Sequence, residues 1–358
     1  FYEGHEDLKF TQVWNNTRDI DSTHGSHVAG TMAARFNNKK GIAGISPKNQ
    51  LYAYATGAGN NKSEMNFATV MEYKYAFALL IGNNVKVINV SQNTGRVQCF
   101  AASRGNTNAI EYVNTNAEIL GDFLNKLIIK EYNFLIVAAG GNVENLEFVV
   151  DNNKTYGYRR AETTDPTSDY ISGNVNAFYN SFLNAITQYP VKSRIITVGS
   201  FGYSVNDSEE TSYHYSGFSN IGDRIDVVAP GEDIYSCLYP AYKQQDEYGN
   251  KNGTSMSAPH VAGVAAMIYG VNPSLGGWQV KNILSNMNSS TVKDAHGNSY
   301  VILDALASVE KAKDSFGITP PVAPPTGVLM GRVVNSSNNV IKDADVTIYR
   351  TSIGDSNL

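Results

Sequence analysis

Cysteine is nearly absent. Cys99 and Cys237 are the two in the chain, enough for one internal bridge and without the spacing of a metal knot. Disulfides are therefore not the basis of stability, and the two thiols read as free and partly buried. Long apolar runs are missing as well: the longest, residues 261–271, contains Gly and Tyr and is too short to cross a bilayer. No basic block accompanies the formal net charge of −5, so nothing here tracks a phosphate backbone, and nucleic acid is not an expected partner. An acidic run of the kind that marks a disordered tail is also missing. The start, Phe1-Tyr2-Glu3-Gly4-His5, has no basic region, apolar core or cleavage site, and reads as cut from a longer precursor. With 358 residues the chain has length for two domains, or for one large α/β domain with an appendage, and for a sizeable core.

What is present concentrates at residues 252–266, Asn-Gly-Thr-Ser-Met-Ser-Ala-Pro-His-Val-Ala-Gly-Val-Ala-Ala. Ser255 follows a Gly-Thr pair that can turn tightly and precedes a Pro that fixes φ as a helix begins. Small apolar residues after it let that helix be buried. A serine there is ordinarily an N-cap. The same place also leaves its N–H among the unpaired donors of the helix start, where partial positive charge gathers and stabilises negative charge that develops nearby. A second stretch, His24-Gly25-Ser26-His27-Val28-Ala29-Gly30, reads as a helix packed by small residues with His24 at its entry. The His24/His27 pair on one helical face also has the look of metal ligation, but no third ligand with matching spacing accompanies it.

Strand and helix signals alternate along the chain. Residues 51–55 read as a short strand, 63–80 as a helix, and 85–91 as the β-branched run of a buried parallel strand. A helix over 107–130 leads to a strand at 132–139 that ends in Gly140-Gly141-Asn142. A strand at 194–200 and helices at 278–284 and 302–313 follow. The alternation predicts an α/β fold with a doubly wound, mostly parallel sheet and helices on both faces. Asn142 after two glycines is ordinarily a turn former, yet it stands at the carboxyl end of a strand, where open α/β sheets place their sites. Residues 143–191 are rich in Asn, Tyr and Thr, with a helix signal only around 175–186. The Pro-rich stretch 319–326 is a stiff extended linker by composition. Beyond it, 331–335 and 345–349 alternate like two half-buried strands, too few to stand alone.

Gly253-Thr254-Ser255-Met256-Ser257-Ala258-Pro259 resembles the nucleophile motif of the subtilisin-like serine proteases, and His24 to Gly30 resembles the histidine motif of the same family. Ala138-Ala139-Gly140-Gly141-Asn142 resembles its Ala-Ala-Gly-Asn element, and residues 215–220 and 225–236 resemble stretches that the family carries before its serine. The resemblance covers roughly residues 5–313. It implies a serine endopeptidase with Ser255 as nucleophile, His24 as base, and Asn142 with the Ser255 N–H holding the oxyanion. A protein or peptide substrate would lie extended against Ser91, Gln92 and Asn93, with Gly140, Gly141 and Thr254 completing the binding groups. Family members usually carry glycines where Gln92-Asn93-Thr94 stand, so the pocket is expected to prefer a small or polar residue before the scissile bond. Residues 143–191 read as an insertion near that cleft.

The family orders its triad Asp, His, Ser. No Asp-Thr-Gly or Asp-Ser-Gly precedes His24, and His5-Glu6-Asp7-Leu8 resembles the stretch just after that aspartate. The acid is therefore expected a few residues upstream of Phe1, on a central strand, and Asp19 and Asp21 read as surface carboxylates. The loop 36–42 is similar to the family's calcium loop, which implies a structural Ca²⁺ held by Asp7, Asn38 and the carbonyls of Phe36, Lys40 and Ile42; Lys39 and Lys40 oppose it. Residues 328–358 look like the opening of a carboxypeptidase regulatory-like β-sandwich module. The expected division is thus a peptidase domain at 1–316, a linker at 317–327 and a module start at 328–358. The resemblance further implies an N-terminal propeptide as partner and a secreted or cell-surface bacterial protein. The alternative is a catalytically impaired, peptide-binding version of the fold. A lipase-like esterase is disfavoured, because Gly253-Thr254-Ser255-Met256-Ser257 is not Gly-x-Ser-x-Gly.

Overall fold

The computed structural model describes residues 1–15, 22–56, 69–92, 102, 106–142, 146–151, 154–160, 176–205, 211–240, 247–286 and 290–314. The chain divides into two compact units, Phe1–Gly317 and Ile318–Leu358. The expected linker and β-module lie outside the described residues, as do Asp19, Asp21, Asn93, Thr94 and Cys99.

The first unit runs β1 (Phe10–Trp14), α1 (Ser22–Ala33), β2 (Leu51–Tyr54), α2 (Val70–Gly82), β3 (Val87–Val90), α3 (Thr107–Ile129) and β4 (Leu135–Ala139). An antiparallel hairpin follows, β5 (Leu146–Asp151) with β6 (Lys154–Arg160), then a 3-10 turn at Ala177–Asn180 and the short α4 (Tyr189–Lys192). Next come β7 (Ile195–Val205), β8 (Thr211–Tyr215), β9 (Val227–Pro230), β10 (Ile234–Cys237) and β11 (Tyr248–Lys251). The unit closes with α5 (Thr254–Val271), α6 (Gly277–Asn286), β12 (Thr291–Lys293), β13 (Ser299–Val301) and α7 (Ala305–Asp314).

The main sheet has the order β3-β4-β7-β8, with β9 also on β7. Strands β3, β4, β7 and β9 are parallel, and β8 folds back antiparallel on the far half of β7. Along β4 the side chains alternate between two cores. Ile136 and Ala138 face Phe77 of α2 and Leu120 and Leu124 of α3. Leu135, Val137 and Ala139 face Ala258, Val261, Ala262 and Ala265 of α5, with α6 beyond. All of β4 is buried, which is why it reads as a continuous apolar run rather than an alternating one. Helices thus cover both faces of a mostly parallel sheet, the α/β arrangement that the alternation of elements predicts.

Three boundaries differ from expectation for local reasons. Helix α2 starts at Val70 rather than near residue 63, because Thr69 caps it, its hydroxyl accepting from the Glu72 N–H; residues 63–68 lie outside the described ones. Helix α7 starts at Ala305 rather than 302: the Ile302 and Leu303 N–H groups bond outward to Ser290 and Val228, and Asp304 Oδ1 accepts from the Ala307 N–H. The helix expected around 175–186 is only the 3-10 turn. Asn176 Oδ1 accepts from the Phe178 N–H and the Asn184 amide donates to the Ala139 and Ala177 carbonyls, so side chains of this Asn-rich stretch take backbone bonds that a helix would need.

Strands β1 and β2 form a separate parallel pair, set beside α1 and the β10–β11 hairpin. Between β2 and β3 runs a slot of about 360 Å³, lined by six consecutive residues of each side, 51–56 and 87–92, and closed by Val28 of α1 and Phe77 and Leu80 of α2. Side chains alternate along a strand, so an unbroken run facing one space means that each strand turns its backbone edge toward it. His24 stands on the wall of this slot.

Candidate active site

The site gathers where the carboxyl ends of β3 and β4 meet the start of α5. Gly253 has φ +145°, a conformation that glycine alone adopts without strain, and it turns the chain so that Thr254 and Ser255 open the helix. Gly253 has no side chain to cap that helix; Asn142, at the end of β4, does so instead. Its Oδ1 accepts from the Thr254 N–H at 2.9 Å and from the Thr254 hydroxyl at 3.0 Å. Thr254 Oγ1 in turn accepts from the Gly141 N–H at 3.0 Å. A backbone N–H can only donate, so the Asn142 oxygen must face Thr254, and its Nδ2 is left to face the other way.

That nitrogen and the Ser255 N lie near one point. A point one bond out from Gly253, where a Cβ would sit, is 3.2 Å from Asn142 Nδ2 and 3.7 Å from Ser255 N. Two nitrogens that can donate therefore stand near one small space at a helix N-terminus, where partial positive charge gathers.

Ser255 is tied to β3 by a reciprocal pair. Its hydroxyl donates to the Ser91 carbonyl at 3.3 Å, and the Ser91 hydroxyl donates to the Ser255 carbonyl at 2.8 Å. That carbonyl is available because the residue four positions on is Pro259, which has no N–H to give it. The Asn89 amide supports Ser91 Oγ at 2.9 Å. Gln92 reaches the Thr56 hydroxyl across the slot.

His24 sits in the first turn of α1 with its side chain exposed, and it shares the slot wall with Ser91 and Gln92. One turn further, His27 is fully buried and latches α1 to the β10–β11 hairpin. Its Nε2 lies 2.8 Å from the Ile234 carbonyl and 3.1 Å from the Gly249 carbonyl. Carbonyls only accept, so Nε2 carries a proton. Burial pushes its pKa down to about 4, and Nδ1 is buried without a partner. The Ser236 hydroxyl adds a bond to the His27 carbonyl at 2.8 Å. His27 is thus occupied by the protein itself, and no group of three or more potential metal ligands occurs among the described residues.

Asp7 and loop 36–42 come together as the calcium expectation requires, but donors rather than acceptors surround the carboxylate. Asp7 Oδ1 accepts from the Asn38 amide at 2.5 Å, and Oδ2 accepts from the Ile42 N–H and the Tyr248 hydroxyl, each at 2.9 Å. Asn38 Oδ1 points instead to the Lys40 N–H at 3.2 Å, which fixes the amide with its nitrogen toward Asp7. Lys40 pairs with Glu6 at 2.9 Å. A hard cation needs oxygen acceptors; as placed, these residues, with the carbonyls of Phe36, Lys40 and Ile42, do not fit one unless Asn38 turns over and Tyr248 withdraws.

Ser91, Gln92, Gly140, Gly141, Asn142, Thr254 and Ser255 therefore meet in one place, with His24 along the slot beside them. Sequence reasoning missed two things. Thr254 acts as the partner that orients Asn142, a role its place beside Ser255 does not announce. Tyr248, from a hairpin more than two hundred residues away, carries no local signal of contact with Asp7.

A parallel α/β sheet with helices on both faces, and a serine in the first turn of the helix that packs on it, is the setting of one class of serine hydrolases. The profile of the subtilase family matches residues 5–306, and the chain belongs to that family. It is 27% identical over 318 residues to subtilisin-like protease 1 of Plasmodium berghei, an alignment covering 87% of this chain and 44% of that protein. With subtilisin DY of Bacillus licheniformis it shares 28% identity over 290 residues, covering 81% and 77%. With subtilisin amylosacchariticus of Bacillus subtilis subsp. amylosacchariticus it shares 30% over 307 residues, covering 85% and 59%. The chain thus spans well under two thirds of two of these relatives. Among solved structures, a cold-adapted subtilisin-like serine proteinase superposes with a TM-score of 0.53 at 21% identity, over 85% of this chain and 84% of that one.

Proposed function

We propose that the protein is a serine endopeptidase in which Ser255 attacks the peptide carbonyl, His24 takes and returns the proton, and Asn142 Nδ2 with the Ser255 N–H holds the oxyanion. The nearness of Asn142 Nδ2 and the Ser255 N to one point beside Gly253, at 3.2 and 3.7 Å, is the observation that supports the reading. In the first step the Ser255 Oγ–H bond breaks, the proton passes to His24 and Oγ bonds to the carbonyl carbon. Collapse of the tetrahedral species expels the amine, which takes the proton from His24. Water repeats the sequence on the acyl-enzyme and frees Ser255. Substrate main chain is proposed to pair with Ser91, Gln92 and Asn93; the expected narrowing of the pocket by Gln92 draws no support from its side chain, which turns to the Thr56 hydroxyl across the slot.

The slot between β2 and β3 supports a further part of the reading. An added extended strand fits between two backbone edges, and an aspartate at its end would fix the tautomer and orientation of His24. The segment expected upstream of Phe1 is the candidate. Without such an acid, turnover in a serine triad falls by roughly 10⁴. The expected propeptide, the secreted or cell-surface setting and the downstream module belong to the same proposal.

A second reading, a module that binds peptides without cutting them, draws on the Ser255 hydroxyl donating to the Ser91 carbonyl rather than waiting for substrate. A fluorophosphonate probe separates the two. In the full-length protein, including the segment expected upstream of Phe1, the enzyme is labelled at Ser255, and labelling disappears in Ser255→Ala; a folded, unlabelled full-length protein would sink the enzyme reading and leave the binding module.

A further inference from the structure

The oxyanion donor Asn142 ends a strand whose last residues contain two glycines, the least self-supporting backbone available. Gly141 has φ +92°. Thr254 holds its N–H side, as described above. Its other side is held by a different segment, Ser219-Asn220, between β8 and β9. The Asn220 N–H donates to the Gly141 carbonyl at 2.9 Å. The Asn220 side-chain nitrogen donates to the Gly140 carbonyl at 3.1 Å and to Asn180 Oδ1 at 3.3 Å. Ser219 and Asn142 face each other as an isolated antiparallel bridge. The Asn180 amide lies directly against the Cα of Gly141, where any side chain would collide with it.

Asn220 is itself held. It is 1% exposed, and its carbonyl accepts from the Tyr215 hydroxyl at 2.5 Å. Since the Gly140 carbonyl can only accept, the amide cannot turn over, and Asn220 Oδ1 stays buried without a partner. A buried amide that tolerates an unpartnered oxygen in order to keep its nitrogen on two acceptors is acting on the position of those acceptors.

We infer that Asn220 is a positioning residue for the oxyanion donor: it clamps Gly140 and Gly141 so that Asn142 Nδ2 is aimed beside the Ser255 N–H. The inference rests on the proposed role of Asn142 and adds a residue that touches neither substrate nor nucleophile. Asn220 acts through the turn; Gly140 and Gly141 also belong to the proposed substrate contact, so the part of its effect on kcat that runs through the oxyanion donor must vanish when the Asn142 amide is gone, while any effect through substrate contact stays in KM.

A double-mutant comparison in the full chain tests this. Asn220→Ala is expected to lower kcat on a peptide anilide by about 10- to 10²-fold, with KM changed less than about twofold, the signature of a donor displaced by a fraction of an ångström. In an Asn142→Ala background the same change is expected to be silent in kcat. Equal kcat losses in both backgrounds, a loss confined to KM, or an unchanged kcat in the first background would each overturn the inference. If Asn220→Ala does not fold, Asn220→Ser, whose hydroxyl is too short to reach the Gly140 carbonyl, carries the same comparison. If the full-length protein proves unlabelled by fluorophosphonate, the functional reading has failed on its own terms, and the clamp is judged by the Asn142 side-chain amide resonance. That resonance should shift in Asn220→Ser, and a resonance left in place would overturn the clamp.

Discussion

His27 holds the helix that carries His24, and its full burial disfavours the charged ring even though the Nε2–H bonds to the Ile234 and Gly249 carbonyls would survive protonation. Its folded pKa, about 4, lies below the ordinary histidine value of 6.5 because burial disfavours the imidazolium. The unfolded chain therefore binds the extra proton first as pH falls. The latch is at full strength above about pH 6.5 and weakens progressively down to pH 4, by at most about 3 kcal/mol in total. Denaturant midpoints should fall between pH 7 and pH 4.5 in the wild type, and the part of that fall due to this residue should be missing in His27→Gln. An equal fall in both proteins would reassign the acid sensitivity elsewhere. At this scale much of the site was legible in the sequence. His24, Asn142 and Ser255 each stand in a short run whose small residues and glycines have local reasons. Thr254 as the orienter of Asn142 and Asn220 as the clamp behind Gly140 were not, because both act across more than seventy residues, through backbone groups that every residue type possesses.

The loop 36–42 behaves in this structure as an element closed by hydrogen bonds. Asp7 is fully buried and its carboxylate meets the Asn38 amide, the Ile42 N–H and the Tyr248 hydroxyl. Thermal unfolding should then show the same midpoint with and without a chelator, whereas a chelator-induced drop would mean that Asn38 turns to admit a cation. Tyr248→Phe removes a bond to a charged group and should cost about 1.5–3 kcal/mol, read as a midpoint lowered by several degrees. Elements were legible where pattern and cap agree. The helix expected at 107–130 is found at Thr107–Ile129, with Asn106 Oδ1 on the Ala109 N–H at its start. They were obscure where side chains compete with the backbone, as in the Asn-rich 3-10 turn, and where a strand pair joins only its own neighbour, as β5–β6 does.

Across the whole molecule, support for the strands is uneven. β4 is bonded to β3 on one side and β7 on the other, whereas β2 and β3 each turn an edge to the slot. Amide hydrogen exchange should be slowest in β4 and measurably faster at the slot-facing amides of β2 and β3. Uniform protection across the three strands would argue that the slot is closed in solution. The sheet and its helical faces were legible from the alternation of strand and helix, but the slot was not, since it depends on which strands fail to touch. The reciprocal bonds between Ser91 and Ser255 join residues 164 positions apart. Contacts of that separation form late, after the shorter loops have closed. During refolding, far-ultraviolet ellipticity should return before any reactivity at Ser255 appears. Under the proposed function, each newly made copy would pass through a period as a cleavable, unarmed polypeptide among copies already armed, and its survival would depend on how quickly β3 finds α5.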